Sequence, residues 1–219
     1  GRGLVMSLDQ IHSENPASHP ELLEWLARDL ANNSYDLKRL ARGLVMSNAY
    51  ARSSRWDGEK FPDERLFAVA SVRPLAPAQL ATSLKIATAN PHTIPSEPVK
   101  LEERIEALEK SSGNLVNLFP QPTDNFQVGV AEAMLFANNE ALQKSLLVGG
   151  GTLVEVLTKE TDLEKRADLA VRTVLARAPR PEELKALVGF MQRRQDRPDA
   201  ACQQIVWALL TSAEFRFNH

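Results

Sequence analysis

Thirteen prolines, the pair Asn32-Asn33 and the run Gly149-Gly150-Gly151 cut the chain into short apolar segments, and that punctuation constrains the fold more than any other feature. Within the segments, apolar residues recur at three- and four-residue spacing, which places them on one face of an α-helix. Alternating apolar and polar runs bounded by hairpin turns, which exposed sheets require, are missing. The reading is therefore all-α, an irregular bundle of about ten short helices without significant sheet.

The first helix is predicted from Ser18-His19-Pro20-Glu21, where Ser18 and Glu21 have the spacing of a capping box and Pro20 suits a first turn. Leu22, Leu23, Leu26, Ala27 and Leu30 form its inner stripe, with Trp25 at the edge and expected in the core. Ser34 is expected to cap the next helix, carrying Leu37, Leu40, Ala41 and Leu44. A short helix is predicted from Pro62-Asp63-Glu64 through Leu66, Phe67 and Val69, and another from Pro77 through Leu80, Leu84 and Ala87. A charged helix follows with Leu101, Ile105 and Leu108 inward. Further helices are predicted over Val130–Phe136, Glu140–Leu147, Leu153–Leu157, from Asp162 through Leu175, from Glu182 to Arg194, and from about Asp199 to Phe215.

The chain is read as one helical domain over 1–219, with a soft division near 90–100, where Pro91, Pro95 and Pro98 favour extended backbone. It opens at Gly1 rather than Met and is read as a fragment of a larger multidomain protein. A net charge of -2 with both signs interspersed gives no footprint for nucleic acid. No window approaches the ~18 to 20 apolar residues of a membrane span. The single cysteine, Cys202, lies in an apolar helical run and reads as a buried thiol. Arg2–Ser7 and Arg42–Ser47 share the same six residues, but the likeness does not continue, so a repeat architecture is not inferred.

Four ordered motifs carry a resemblance. They are Gly1–Val5 followed by Ser18–Ala27, then Ala131–Asn139, Leu175–Leu184 and the ending Trp207–His219. Together they resemble the C-terminal domain of large planctomycete proteins, domain of unknown function fifteen-fifty-three, over essentially the whole chain. The resemblance implies upstream companion domains, often including a cytochrome-c-type domain, and an exported, periplasmic or cell-envelope location. It implies no catalytic residues. A Cys-x-x-Cys-His haem attachment site is absent from this sequence, so no cofactor is expected in it.

Individual residues give few pointers to chemistry. Asp9, His12 and His19 supply a carboxylate and two imidazoles around one loop, the donor types of a metal or acid–base site, although their spacing matches no helix face. Loop-ordering hydrogen bonds are the simpler role, and no metal is expected. Ser18 beside His19 suggests a nucleophile and base only weakly, since neighbours at a helix start are expected to point apart. Trp56 is the best exposed aromatic candidate. Asn138 sits between two apolar helices, where a ligand contact competes with helix capping. Arg177, with Arg180 near Pro179, could hold an anion, against the simpler role of a cation at a helix C-terminus. No catalytic residue is assigned.

The expected function is a helical interaction or scaffolding module of a larger exported cell-envelope protein, not an enzyme by itself. Its partners would be upstream domains of the same protein, with an envelope protein or glycan as a further possibility. The alternative is contribution of the Asp9–His19 loop to an envelope enzyme, polysaccharide-processing or cytochrome-coupled.

Overall fold

The computed structural model describes residues 3–6, 12–120, 134–136 and 138–218. It is 61% helical, and strand is confined to Arg73–Pro74 and Phe217–Asn218 among the described residues. The chain divides into two compact units, Gly1–Arg73 and Pro74–Asn218. The proline-rich stretch 90–98 falls inside the second unit and holds a single 3-10 turn, Pro91–Thr93, capped by Asn90.

In the first unit, helix α1 spans Pro20–Asn32 and α2 spans Leu37–Val45. The capping box expected at Ser18 does not form. The cap residue is His19, without a side-chain cap bond, and Ser18 instead donates its N–H and its Oγ–H to the Leu4 carbonyl, at 2.7 and 3.1 Å. With Pro20 opening the first turn, Ser18 lies one residue too early for the role. Asn33 closes α1 by donating its side-chain amide to the Asp29 carbonyl at 2.8 Å, satisfying a terminal acceptor.

Ser34 is likewise not a cap. Ser34 and Tyr35 both adopt left-handed backbone (φ 55° and 59°), and Asp36 caps α2 by accepting from Arg39 N–H at 3.0 Å. The helix expected after Pro62 is a single 3-10 turn, Glu64–Leu66, because Phe67 is left-handed (φ 48°) and ends it. Burial is the most informative feature of this unit. Val5 is its sole buried residue among those described, and neither α1 nor α2 buries one. Trp25, expected in the core, is 61% exposed.

The second unit carries the core. Helix α3 (Pro77–Thr88) begins on Pro77, with the Gln79 side chain accepting from Ala76 N–H at 2.9 Å. Leu80, Ala81, Leu84, Ala87 and Thr88 form its buried stripe. It packs against α4 (Pro98–Ser111), α5 (Gly113–Val116) and α6 (Glu140–Leu147). Leu101, Ile105 and Leu108 form the inner side of α4, as their spacing predicts, with Leu108 buried and the other two half-buried.

The triglycine run ends α6. Gly149 and Gly151 take φ of 117° and 75°, backbone that a side chain would strain, and Thr152 then caps α7 (Leu153–Lys159). Asp162 caps α8 (Leu163–Leu175) by accepting from Glu164 and Lys165 N–H at 2.9 and 3.2 Å. The buried Arg166 reaches back to the Glu160 carbonyl at the end of α7, with Nε at 2.9 Å. Pro181 opens α9 (Pro181–Gln192), and Pro198 opens α10 (Pro198–Leu210), with Arg197 in the cap position.

Helix α10 packs against α7, α8 and α9. It contributes Cys202, Val206 and Leu210 to a core that includes Leu84, Leu146, Leu153, Leu157 and Val174. Each fully buried leucine contributes about 1.5–3 kcal/mol relative to exposure. Trp207 is half-buried, with its ring 5.8 Å from that of Phe136. A last turn, α11 (Ala213–Arg216), is capped by Ser212.

Candidate functional site

Each imidazole of the first unit has its own local partner. His12 is exposed, and its Nδ1 accepts from Glu14 N–H at 3.3 Å. His19 is half-buried, lies tilted against Phe67 with ring centroids 5.6 Å apart, and holds Nδ1 3.2 Å from Ser18 Oγ. Ser18 and His19 therefore do not point apart. The single hydroxyl proton of Ser18 is directed at the Leu4 carbonyl, so Oγ accepts from Nδ1–H when both contacts are satisfied. That proton arrangement is the reverse of a base activating a nucleophile. Asp9 lies outside the described residues. Among the described residues, no three His, Cys, Asp or Glu side chains gather where they could hold a metal ion.

Trp56 is 45% exposed, and its indole Nε1–H donates to the Lys60 carbonyl at 2.7 Å, closing a small loop over Gly58. A Cβ on Gly58 would lie 2.6 Å from that nitrogen, so glycine is required by the ring's close approach. Asn138 is an exposed helical residue. Its neighbour Asn139 caps α6, accepting from Leu142 N–H at 2.9 Å, so this polar step serves capping; most of the helix expected over Val130–Phe136 lies outside the described residues.

Arg177 is built into a structural fork. Its Nε donates to Glu214 Oε1, and Nη2 donates to Glu214 Oε2 at 2.7 Å and to Glu183 Oε1 at 2.8 Å. Nη1 donates to Glu183 Oε2 at 2.8 Å and to the Ala178 carbonyl at 3.0 Å. All five guanidinium N–H groups are thus engaged, leaving none to hold an external anion. Arg177 holds the Glu183 carboxyl down to about 2, and Glu214 below the usual carboxylate range, by hydrogen bonding and charge. The two carboxylates raise the guanidinium in turn. The fork ties the end of α8 to the starts of α9 and α11.

An open groove of about 860 Å³ runs along α9, lined by Leu184, Lys185, Val188, Gly189, Gln192 and Arg193. Glu164 and Glu182 also line it, so its charges are of both signs.

The surface that sequence reasoning missed is on α1 and α2. Leu22, Leu23 and Trp25 of α1 are exposed, as are Leu37 (67%), Leu44 (44%) and Val45 of α2, followed by Met46 (72%). Tyr35, Tyr50, Phe61 and Leu66 extend the exposed apolar set of this unit. Apolar spacing identified the stripes correctly but could not tell whether anything covers them.

No curated protein and no solved structure matches the chain. The motifs at 131–139, 175–184 and 207–219 lie beyond the family match, which narrows the extent of the resemblance. A model of the PSD1 family, described as a protein of unknown function (DUF1553), matches residues 1–118, more than half of the chain, and the chain belongs to that family.

Proposed function

We propose that this chain is a non-catalytic helical interaction module, docking through the apolar faces of α1 and α2, within a larger exported cell-envelope protein. The observation that carries the reading is the contrast between the two units. The second buries its apolar stripes in a core, whereas α1 and α2 bury no residue and present leucines, Trp25 and Met46 to solvent. Monomeric proteins rarely leave large contiguous apolar surface open unless it binds something. The exported setting and companion domains rest on the family resemblance. The alternative, an active-site loop around His12 and His19, is not favoured by imidazoles occupied with local contacts.

The test is the triple variant Leu37→Ser, Leu44→Ser and Met46→Ser. Docking residues cost little in the isolated chain, so unfolding free energy should change by under about 0.5 kcal/mol while binding of an apolar dye falls. A loss above about 2 kcal/mol would identify these positions as core and overturn the reading.

A further inference from the structure

An aromatic cluster in the second unit already holds a cation. Phe136 and Phe119 are both buried, and their rings stack with centroids 5.7 Å apart. The half-buried Trp207 of α10 lies 5.8 Å from Phe136 in turn. The guanidinium of Arg216 stands over the Phe136 ring, 5.0 Å from its centroid, and 6.0 Å from that of Phe217. A cation within about 6 Å of a ring is drawn to its negative face, more strongly as water is excluded. The cluster therefore displays the chemistry it accepts, a guanidinium over an aromatic ring.

Arg216 belongs to the stretch 212–218, whose helical turn α11 buries no residue. Ser212 caps the turn, its Oγ accepting from Phe215 N–H at 3.3 Å, and Phe215 packs partly buried against the core. Glu214 ties the stretch to Arg177 through side chains that are 37% and 25% exposed. The Arg216 carbonyl accepts from Leu75 N–H at 2.9 Å. A solvent-screened ion pair, a backbone bond and one partly buried ring are attachments of low local stability, whereas Phe136 and Phe119 belong to the core itself.

We propose that residues 212–218 are a releasable strap whose Arg216 occupies, and so blocks, a guanidinium-binding site on Phe136, Phe119 and Trp207. When the strap lifts, the site takes the arginine side chain of another protein segment in place of Arg216. The Glu214–Arg177 pair is the catch. Arg177 also holds Glu183 through two bonds of 2.8 Å, so losing Glu214 opens the catch without undoing the join between α8 and α9. This site lies apart from α1 and α2 and is independent of the docking reading.

The test uses the full chain in a Trp25→Phe/Trp56→Phe background, where Trp207 is the remaining tryptophan. Ethylguanidinium is titrated from about 1 to 100 mM, a range suited to a small, weakly held cation. Arg216→Ala empties the site, so Trp207 emission should shift red, and the probe should reverse the shift with saturation. Sodium chloride at equal ionic strength should not. Wild type, with its site filled, should stay silent over the same range. Glu214→Gln loosens the strap with Arg216 intact and should bind the probe at least about tenfold more tightly than wild type. Adding Phe136→Leu to Arg216→Ala should abolish the response.

No saturation in Arg216→Ala, an equal effect of sodium chloride, or a response that survives Phe136→Leu would each overturn the site. A Glu214→Gln chain as silent as wild type would overturn the releasable strap and leave Arg216 a fixed structural contact. Circular dichroism checks that the variants fold; should Arg216→Ala not fold, the Glu214→Gln titration decides by itself.

Discussion

Replacing Arg177 by alanine removes the fork that joins three helix ends, and its effect can be worked out from the contacts. Four of the five N–H groups go to the carboxylates of Glu183 and Glu214, forming two paired contacts around one guanidinium. Fully buried charge-assisted bonds are worth about 1.5–3 kcal/mol each, and exposed ion pairs about 0.2–1. The Arg177, Glu183 and Glu214 side chains are 25%, 34% and 37% exposed, so solvent screens them substantially. Discounting for that, each carboxylate pairing contributes about 1 kcal/mol, and Arg177→Ala should cost about 2 kcal/mol in all. For a unit of this size that corresponds to a fall in Tm of about 4–8 °C.

The pH dependence gives a second readout that a generic loss of packing would not produce. Arg177 holds the Glu183 carboxyl at about 2 in the folded chain, against an ordinary value of 4.5. A depressed folded-state pKa contributes stability that is complete above the unfolded value and drains away as pH falls toward the folded one. Wild type should therefore lose stability between about pH 4.5 and 2, and Arg177→Ala should lose less over that interval. Urea unfolding followed by circular dichroism at pH 7, 4.5 and 3 measures both. A cost under about 0.5 kcal/mol at pH 7, with an unchanged acid slope, would refute the reasoning.

Three further outcomes follow from local geometry. Gly58→Ala must displace the Trp56 ring and break its bond to the Lys60 carbonyl, so in a Trp25→Phe/Trp207→Phe background the emission should shift red; an unshifted spectrum would contradict the packing. Cys202 is fully buried, and burial pushes its thiol pKa up, so a thiol reagent should label it only after denaturant is added, and prompt labelling of the native chain would refute its placement. Asp162→Ala removes the acceptor for two backbone N–H groups and should cost about 1 kcal/mol, with Asp162→Asn close to wild type, measured by thermal unfolding.

Local rules were read well from the sequence. The cap at Asp162, the break at Gly149–Gly151 and the inward stripe Leu101, Ile105 and Leu108 all depend on neighbours a few residues apart. Errors arose where register mattered by one or two residues. Ser18 sits one position before the cap, and Asp36 takes the part expected of Ser34 because Ser34 and Tyr35 turn left-handed. Long-range pairing was beyond reach. Glu214 lies 37 residues from Arg177, and nothing in either neighbourhood announces that they meet. Trp25 exposes a different limit, since periodicity tells which side of a helix is apolar and says nothing about what covers it.

Val5 as the lone buried residue described in the first unit has a thermodynamic consequence. Helices of nine and thirteen residues have little intrinsic stability in water and are ordinarily held by the surface they bury. If the docking proposal holds, a bound partner adds to the free energy that keeps α1 and α2 in shape, by an amount that grows with the logarithm of its concentration. On the docking reading, amide exchange in these helices becomes a gauge of partner binding, slowing as the partner is added, while exchange in the core around Leu84 and Val206 stays constant.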